Sequence, residues 1–127
     1  MAIVPILHCR NMRASLDFYT RILDFERVGG DGRTDDPAYS VIARHGDYLI
    51  LSSHSGDGGP RQAVVVTTDD VDADWQRFVA RGLAIPAKAA GESPVHAGPL
   101  EQTWGTREVY VDDPDGNTLR FTQRWFD

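Results

Sequence analysis

Asn11-Met12-Arg13-Ala14-Ser15-Leu16-Asp17-Phe18-Tyr19-Thr20-Arg21-Ile22-Leu23 and, 59 residues on, Asp70-Val71-Asp72-Ala73-Asp74-Trp75-Gln76-Arg77-Phe78 follow one pattern. Each opens on a short polar residue whose side chain can accept from a backbone N–H of the first turn, Asn11 in one and Asp70 in the other. In the first, Met12, Leu16, Tyr19 and Leu23 recur at steps of four, three and four, which places them on one face of a helix. In the second, Val71, Trp75 and Phe78 stand in register with Met12, Leu16 and Tyr19, and Gly82 closes the helix where a left-handed residue is wanted. Trp75 is therefore read as core.

Working outward, an extended apolar segment precedes each helix: Ile3-Val4-Pro5-Ile6-Leu7 before the first, Ala63-Val64-Val65-Val66 before the second. Further strands follow each. In the first half they are expected over 26–30, 39–44 and 48–53, the last two joined through His45-Gly46-Asp47. In the second half they are expected over 83–87, 106–112 and 118–123. The turn Asp113-Pro114-Asp115-Gly116-Asn117 is a strong hairpin signal. The stretch 88–102, rich in Ala, Gly and Pro, reads as a loop over a cleft. The chain is thus an α+β protein of two tandem βαβββ modules, about 1–58 and 59–127, expected to form one domain with a curved mixed sheet around a cleft. The alternative is one α+β domain whose helices share their periodicity by chance.

The chain has 127 residues, 41% hydrophobic and 25% charged, enough for one ordinary domain with a real core. The net charge of −6 is spread over both modules and argues against a nucleic-acid surface. No apolar run approaches the roughly 20 residues needed to span a bilayer, and the N-terminal segment does not read as a signal peptide. Cys9 is the one cysteine, so a reducing, cytoplasmic setting is the expectation.

Three segments carry a resemblance to a known family. The first is Val4-Pro5-Ile6-Leu7 with Arg10-Asn11-Met12, Leu16-Asp17-Phe18-Tyr19 and Ile22-Leu23-Asp24-Phe25. The others are Thr68-Asp69-Asp70-Val71-Asp72-Ala73, and Trp104-Gly105-Thr106-Arg107-Glu108 followed by Asp113-Pro114-Asp115-Gly116-Asn117. In order, they resemble the vicinal oxygen chelate superfamily of glyoxalase I, extradiol dioxygenases and bleomycin resistance proteins, and the last group most. Asp24 stands where that family usually has glycine.

The resemblance implies a divalent metal held by His, Glu or Gln from four strands. Its four positions fall on Val4, on Leu51 (or Ile50 if the register slips by one), on Ala63 and on Arg120. Aliphatic side chains and a guanidinium have no lone pair to give a metal. Neither a metal nor another cofactor is therefore expected. His8, His45, His54 and His96 show no close ligand spacing; a relocated site would have His8 as its first member.

What remains is a cleft for a small molecule. The candidate ligand-binding residues are His8, Tyr39, Tyr48, Ser53, Trp104, Glu108, Tyr110 and Arg120. His8 alternates with Val4 and Ile6 and either faces the cleft or is a partly buried, hydrogen-bonded side chain. Trp104 reads either as a flat surface for an aromatic or cationic ligand or as a plug beneath the loop. Glu108 or Tyr110 should lie beside Arg120 across the closing hairpin, as a ligand-orienting pair or as an internal ion pair. Tyr39, Tyr48 and Ser53 would add rim contacts. The resemblance also implies a homodimer with shared grooves, Pro5 being either the hinge of an exchanged N-terminal strand or an edge-strand residue.

The expected function is metal-free binding of a planar or cationic, antibiotic-like compound, with no nucleic-acid or membrane partner. No nucleophile elbow, phosphate loop or CxxC pair is visible. The alternative is a lyase, isomerase or dioxygenase with an altered site, using His8, Glu108 and Arg120 as base, acid and oxyanion stabiliser. A regulatory or scaffold subunit with a vestigial cleft is a third reading.

Overall fold

Asn11 and Asp70 start the two long helices as their chemistry predicts. In the computed structural model, which describes residues 2–124, the Asn11 side chain accepts from the Ala14 N–H at 2.9 Å and Asp70 accepts from the Ala73 N–H at 3.0 Å. The helices they cap are α1 (Met12–Arg21) and α2 (Val71–Ala80), equal in length and in register at the offset of the repeat. Strands β1 (Ile6–His8), β2 (Glu26–Gly30), β3 (Tyr39–Arg44) and β4 (Asp47–Ser52) accompany α1. Strands β5 (Ala63–Thr67), β6 (Leu100–Glu101), β7 (Thr106–Asp112) and β8 (Thr118–Arg124) accompany α2.

The strands form two four-stranded mixed sheets, ordered β1-β4-β3-β2 and β5-β8-β7-β6. In each, the strand that leads into the helix pairs parallel with the last strand of its module: β1 with β4, β5 with β8. The chain divides into two compact units that follow the sheets, 1–62 with 113–117, and 63–112 with 118–127. The first unit therefore includes the β7–β8 turn.

In the first unit α1 buries Met12, Ser15 and Tyr19, and the sheet buries Leu7, Ile42, Leu49 and Leu51. Tyr19 meets Phe25 edge-on at 5.5 Å between ring centroids. Its hydroxyl donates to Asp113 Oδ2 at 2.7 Å, and burial together with that carboxylate raises its pKa. Asp113 accepts as well from the N–H groups of Asp115 and Asn117 and from the Asn117 side chain, so one buried carboxylate organises the turn. Asn117 in turn donates to the His8 carbonyl at 3.0 Å. In the second unit Val71 and Phe78 pack with Val109, Val111, Leu119 and Phe121, the Phe78 and Phe121 rings 5.0 Å apart. These residues alternate along β7 and β8, which fixes the helix-facing side of that sheet.

Several expectations need correction. No strand forms over 83–87: Pro86 lacks an N–H for a ladder, and β6, later in the chain, takes the place beside β7. The segment 88–102 is not a plain loop, since it holds a short helix, α3 (Ala89–Glu92), a 3₁₀ turn (Pro94–His96) and β6. The opening strand is Ile6–His8; of the preceding residues, Pro5 supplies its carbonyl to the Ile50 N–H at 2.9 Å. Trp75 is half-buried rather than core, its indole lying beside Gly98. Asp24, where the family has glycine, adopts φ of 66°, the left-handed backbone that glycine takes most easily.

Candidate functional site

The side of the second sheet turned away from α2 carries most of the chemistry. Register places Glu108 opposite Thr122 and Tyr110 opposite Arg120, with Leu100 of β6 beside Glu108 and Val65 of β5 beside Arg120. Glu108 is buried, at 2% exposure, and its carboxylate accepts four hydrogen bonds. Trp104 Nε1–H donates to Oε2 at 3.0 Å and Thr106 Oγ–H at 2.6 Å; Arg120 Nη2–H donates to Oε1 at 3.1 Å and Thr122 Oγ–H at 3.3 Å. Burial alone pushes this carboxyl up. The donations from Thr106, Trp104 and Arg120, with the Arg120 charge, outweigh it and hold the group below its ordinary value.

The two groups on that carboxylate are oriented by it. Trp104 remains 57% exposed although its indole N–H is tethered. Arg120 lies over the Tyr110 ring, 4.8 Å from its centroid. Both alternatives left open for the hairpin pair are thus met at once: Arg120 contacts Glu108 and Tyr110. His96, from the 3₁₀ turn, approaches Tyr110 edge-on at 5.7 Å; its Nδ1 is 2.7 Å from Ser93 Oγ and its Nε2 3.0 Å from Asp112 Oδ1.

The first unit holds the other candidates. His8 and Tyr39 both pair with Ser52, which puts His8, Ser52 and Tyr39 in one row across β1, β4 and β3. His8 Nδ1–H donates to the Asp57 carbonyl at 3.0 Å, so it is a partly buried, hydrogen-bonded histidine on the face of Ile6. Tyr48 shares that face four residues from Ser52, about 13 Å along the strand. Both tyrosines are largely exposed. Ser53 lies outside this row, its hydroxyl engaged with the backbone N–H and carbonyl of Ala38. Cys9 is buried, which pushes its thiol up to about 11 and leaves it a poor nucleophile.

A divalent metal does not fit the positions the resemblance assigns to it. Leu51 is fully buried on the α1 side, and it is Ile50 that shares the face of Ile6 and His8, which corrects the register by one. The set is then Val4, Ile50, Ala63 and Arg120, without a donor atom among its side chains. Among the described residues, no three His, Cys, Asp or Glu side chains gather closely enough to hold an ion.

Thr106, Thr122 and His96 were not anticipated. Thr106 and Thr122 stand two residues from Glu108 and Arg120, so strand alternation could have placed them on the same face. His96 carries no such signal, because its position depends on the fold of the 88–102 segment.

Residues 3–121 match the model of the Glyoxalase/Bleomycin resistance protein/Dioxygenase superfamily. The chain belongs to that superfamily. No curated protein matches it. Among solved structures, this superfamily member is similar to a bleomycin-binding protein complexed with bleomycin, at 21% identity and a TM-score of 0.73 over 98% of both chains. It is similar also to the bleomycin resistance determinant encoded on transposon Tn5, at 22% identity and a TM-score of 0.73 over 99% of both. A third is TnmS3, an antibiotic binding protein from Streptomyces sp. CB03234, at 24% identity and a TM-score of 0.70, covering 98% of this chain and 97% of that one. At these identities the likeness is one of fold. No helix among the described residues is long and apolar enough to cross a membrane.

Proposed function

We propose that the protein is a metal-free small-molecule binding protein of the bleomycin-resistance type, which holds a planar or cationic, antibiotic-like compound without transforming it. The observation that carries this reading is Trp104, an exposed indole whose orientation is set by a buried carboxylate. An aromatic surface held in place before the ligand arrives avoids the ordering entropy of about 0.5–1.5 kcal/mol that a free side chain would lose on binding. The antibiotic-binding proteins that share the fold support the same ligand class. Tyr110, Arg120 and Glu108 belong to this surface, and His8, Tyr39, Tyr48 and Ser53 are proposed as secondary contacts. The enzyme alternative asks Glu108 to act as an acid, yet the four donors around it favour the ionised form. A cytoplasmic homodimer with no nucleic-acid partner completes the reading.

The test is titration of purified protein with copper-free and copper-loaded bleomycin, following tryptophan fluorescence. Saturable quenching at one ligand per chain, weakened at least about tenfold in Trp104→Ala, is expected from the loss of a stacking surface. No response up to millimolar ligand would remove the antibiotic reading.

A further inference from the structure

The binding surface around Trp104 has a charge preference that the ring alone does not explain. Among the described residues, Arg120 donates one hydrogen bond, from Nη2 to Glu108, and its Nε–H is buried with no acceptor. A guanidinium carries five N–H donors, and one left unmatched in a partly buried place is costly. The side chain is still about one-third open to solvent, at 34%. The open part of the group therefore presents positive charge on the same carboxylate that tethers the indole, while the Nε–H stays buried.

The carboxylates of the same face are differently placed. Glu108 is shielded, with each oxygen already accepting from two donors. Asp112 lies four residues further along β7, and its Oδ1 already accepts from Thr118 and meets His96. Val65 and Leu100, which flank Arg120 and Glu108 in the register, are exposed and apolar. Arg124 stands opposite Thr106 at the Trp104 end of the face. Of these described groups, a cation bound over Trp104 would meet the Arg120 guanidinium and a Glu108 carboxylate whose two oxygens are already engaged.

We propose that this face selects planar aromatic ligands bearing a carboxylate or carbonyl oxygen, with Arg120 as the specificity-determining residue and Glu108 as the positioning residue that holds Arg120 and Trp104 together. The inference rests on the small-molecule binding reading and narrows it, replacing its planar or cationic class by a planar, oxygen-bearing one. Arg120 donates to the ligand oxygen while the ring stacks on Trp104.

Three probes of one shape separate charge from stacking: naphthoate, naphthamide and naphthylmethylammonium. Binding is read from the shift of the Trp104 indole N–H resonance in the full-length chain. Naphthoate should bind at least about tenfold more tightly than the ammonium probe, the value of one charge-assisted hydrogen bond, with naphthamide between them. Arg120→Gln should reduce the naphthoate advantage to about twofold while leaving naphthamide bound. Arg120→Lys, which keeps the charge but loses the planar fork, should retain part of the preference and serves if the glutamine variant does not fold. Equal binding of the three probes, tighter binding of the ammonium, or no binding of any overturns the proposal, even where bleomycin still quenches fluorescence and the broader reading stands. Selectivity for naphthoate without any bleomycin response supports this proposal and removes the antibiotic one.

Discussion

Glu108 shows how a single buried charge can be held by the protein's own hydrogen-bond donors. Its carboxylate sits between two threonine hydroxyls, an indole N–H and a guanidinium, so each oxygen has two donors and the burial penalty is met by geometry. Removing the charge should be severe. Glu108→Gln puts an NH₂ where donors already converge, and we expect a loss of about 3–5 kcal/mol in urea denaturation, the range for breaking a buried ion pair from one side. The pH dependence follows from the same contacts. Because the folded-state pKa lies below the unfolded value near 4.5, the stabilisation is present above about pH 4.5 and is lost as pH falls through the lowered native value. Stability measured against pH should fall over that acidic window in the parent protein and more shallowly in Glu108→Gln.

At the scale of elements, the two helices are matched pieces set by matched caps. Each is ten residues long, short enough that first-turn N–H groups weigh heavily in its stability. Asn11→Ala and Asp70→Ala should each cost about 1 kcal/mol, read from the midpoint of chemical denaturation. The effects should add, since the caps belong to different units. The strands show the opposite behaviour. The run 83–87 has apolar residues, yet without a neighbour to complete its ladder it is not a strand, while two residues of β6 are enough because β7 lies beside them. Pairing, and not propensity, decides such segments.

At the scale of the whole molecule, the first unit is discontinuous in sequence. Residues 113–117 are packed in it, and Asp113 there accepts the Tyr19 hydroxyl, buried at 0% exposure. A fragment of residues 1–62 would lack that carboxylate and the Asn117 side chain that bonds the His8 carbonyl, leaving buried polar groups without partners. We expect the fragment to be unfolded by circular dichroism. In the intact chain, Asp113→Ala should destabilise by about 2–4 kcal/mol in urea denaturation, through several lost hydrogen bonds.

Much of this was legible in order along the chain. The 59-residue repeat, the helix faces of Met12 and Tyr19 and of Val71 and Phe78, the strands 26–30, 39–44 and 106–112, and the pairing of Arg120 with the closing hairpin follow from periodicity and turn chemistry, which are local properties. The absence of donor side chains from the metal positions was legible too, because it depends on residue type, although Ile50 rather than Leu51 had to be chosen by the register of β1 on β4. Three features were decided only by tertiary structure: the tether between Trp104 and Glu108, the approach of His96 to Tyr110, and the turn 113–117 closing over Tyr19. Each joins groups through space by the directions of their hydrogen bonds or rings. Neither spacing nor propensity encodes those directions until the sheets have set the register.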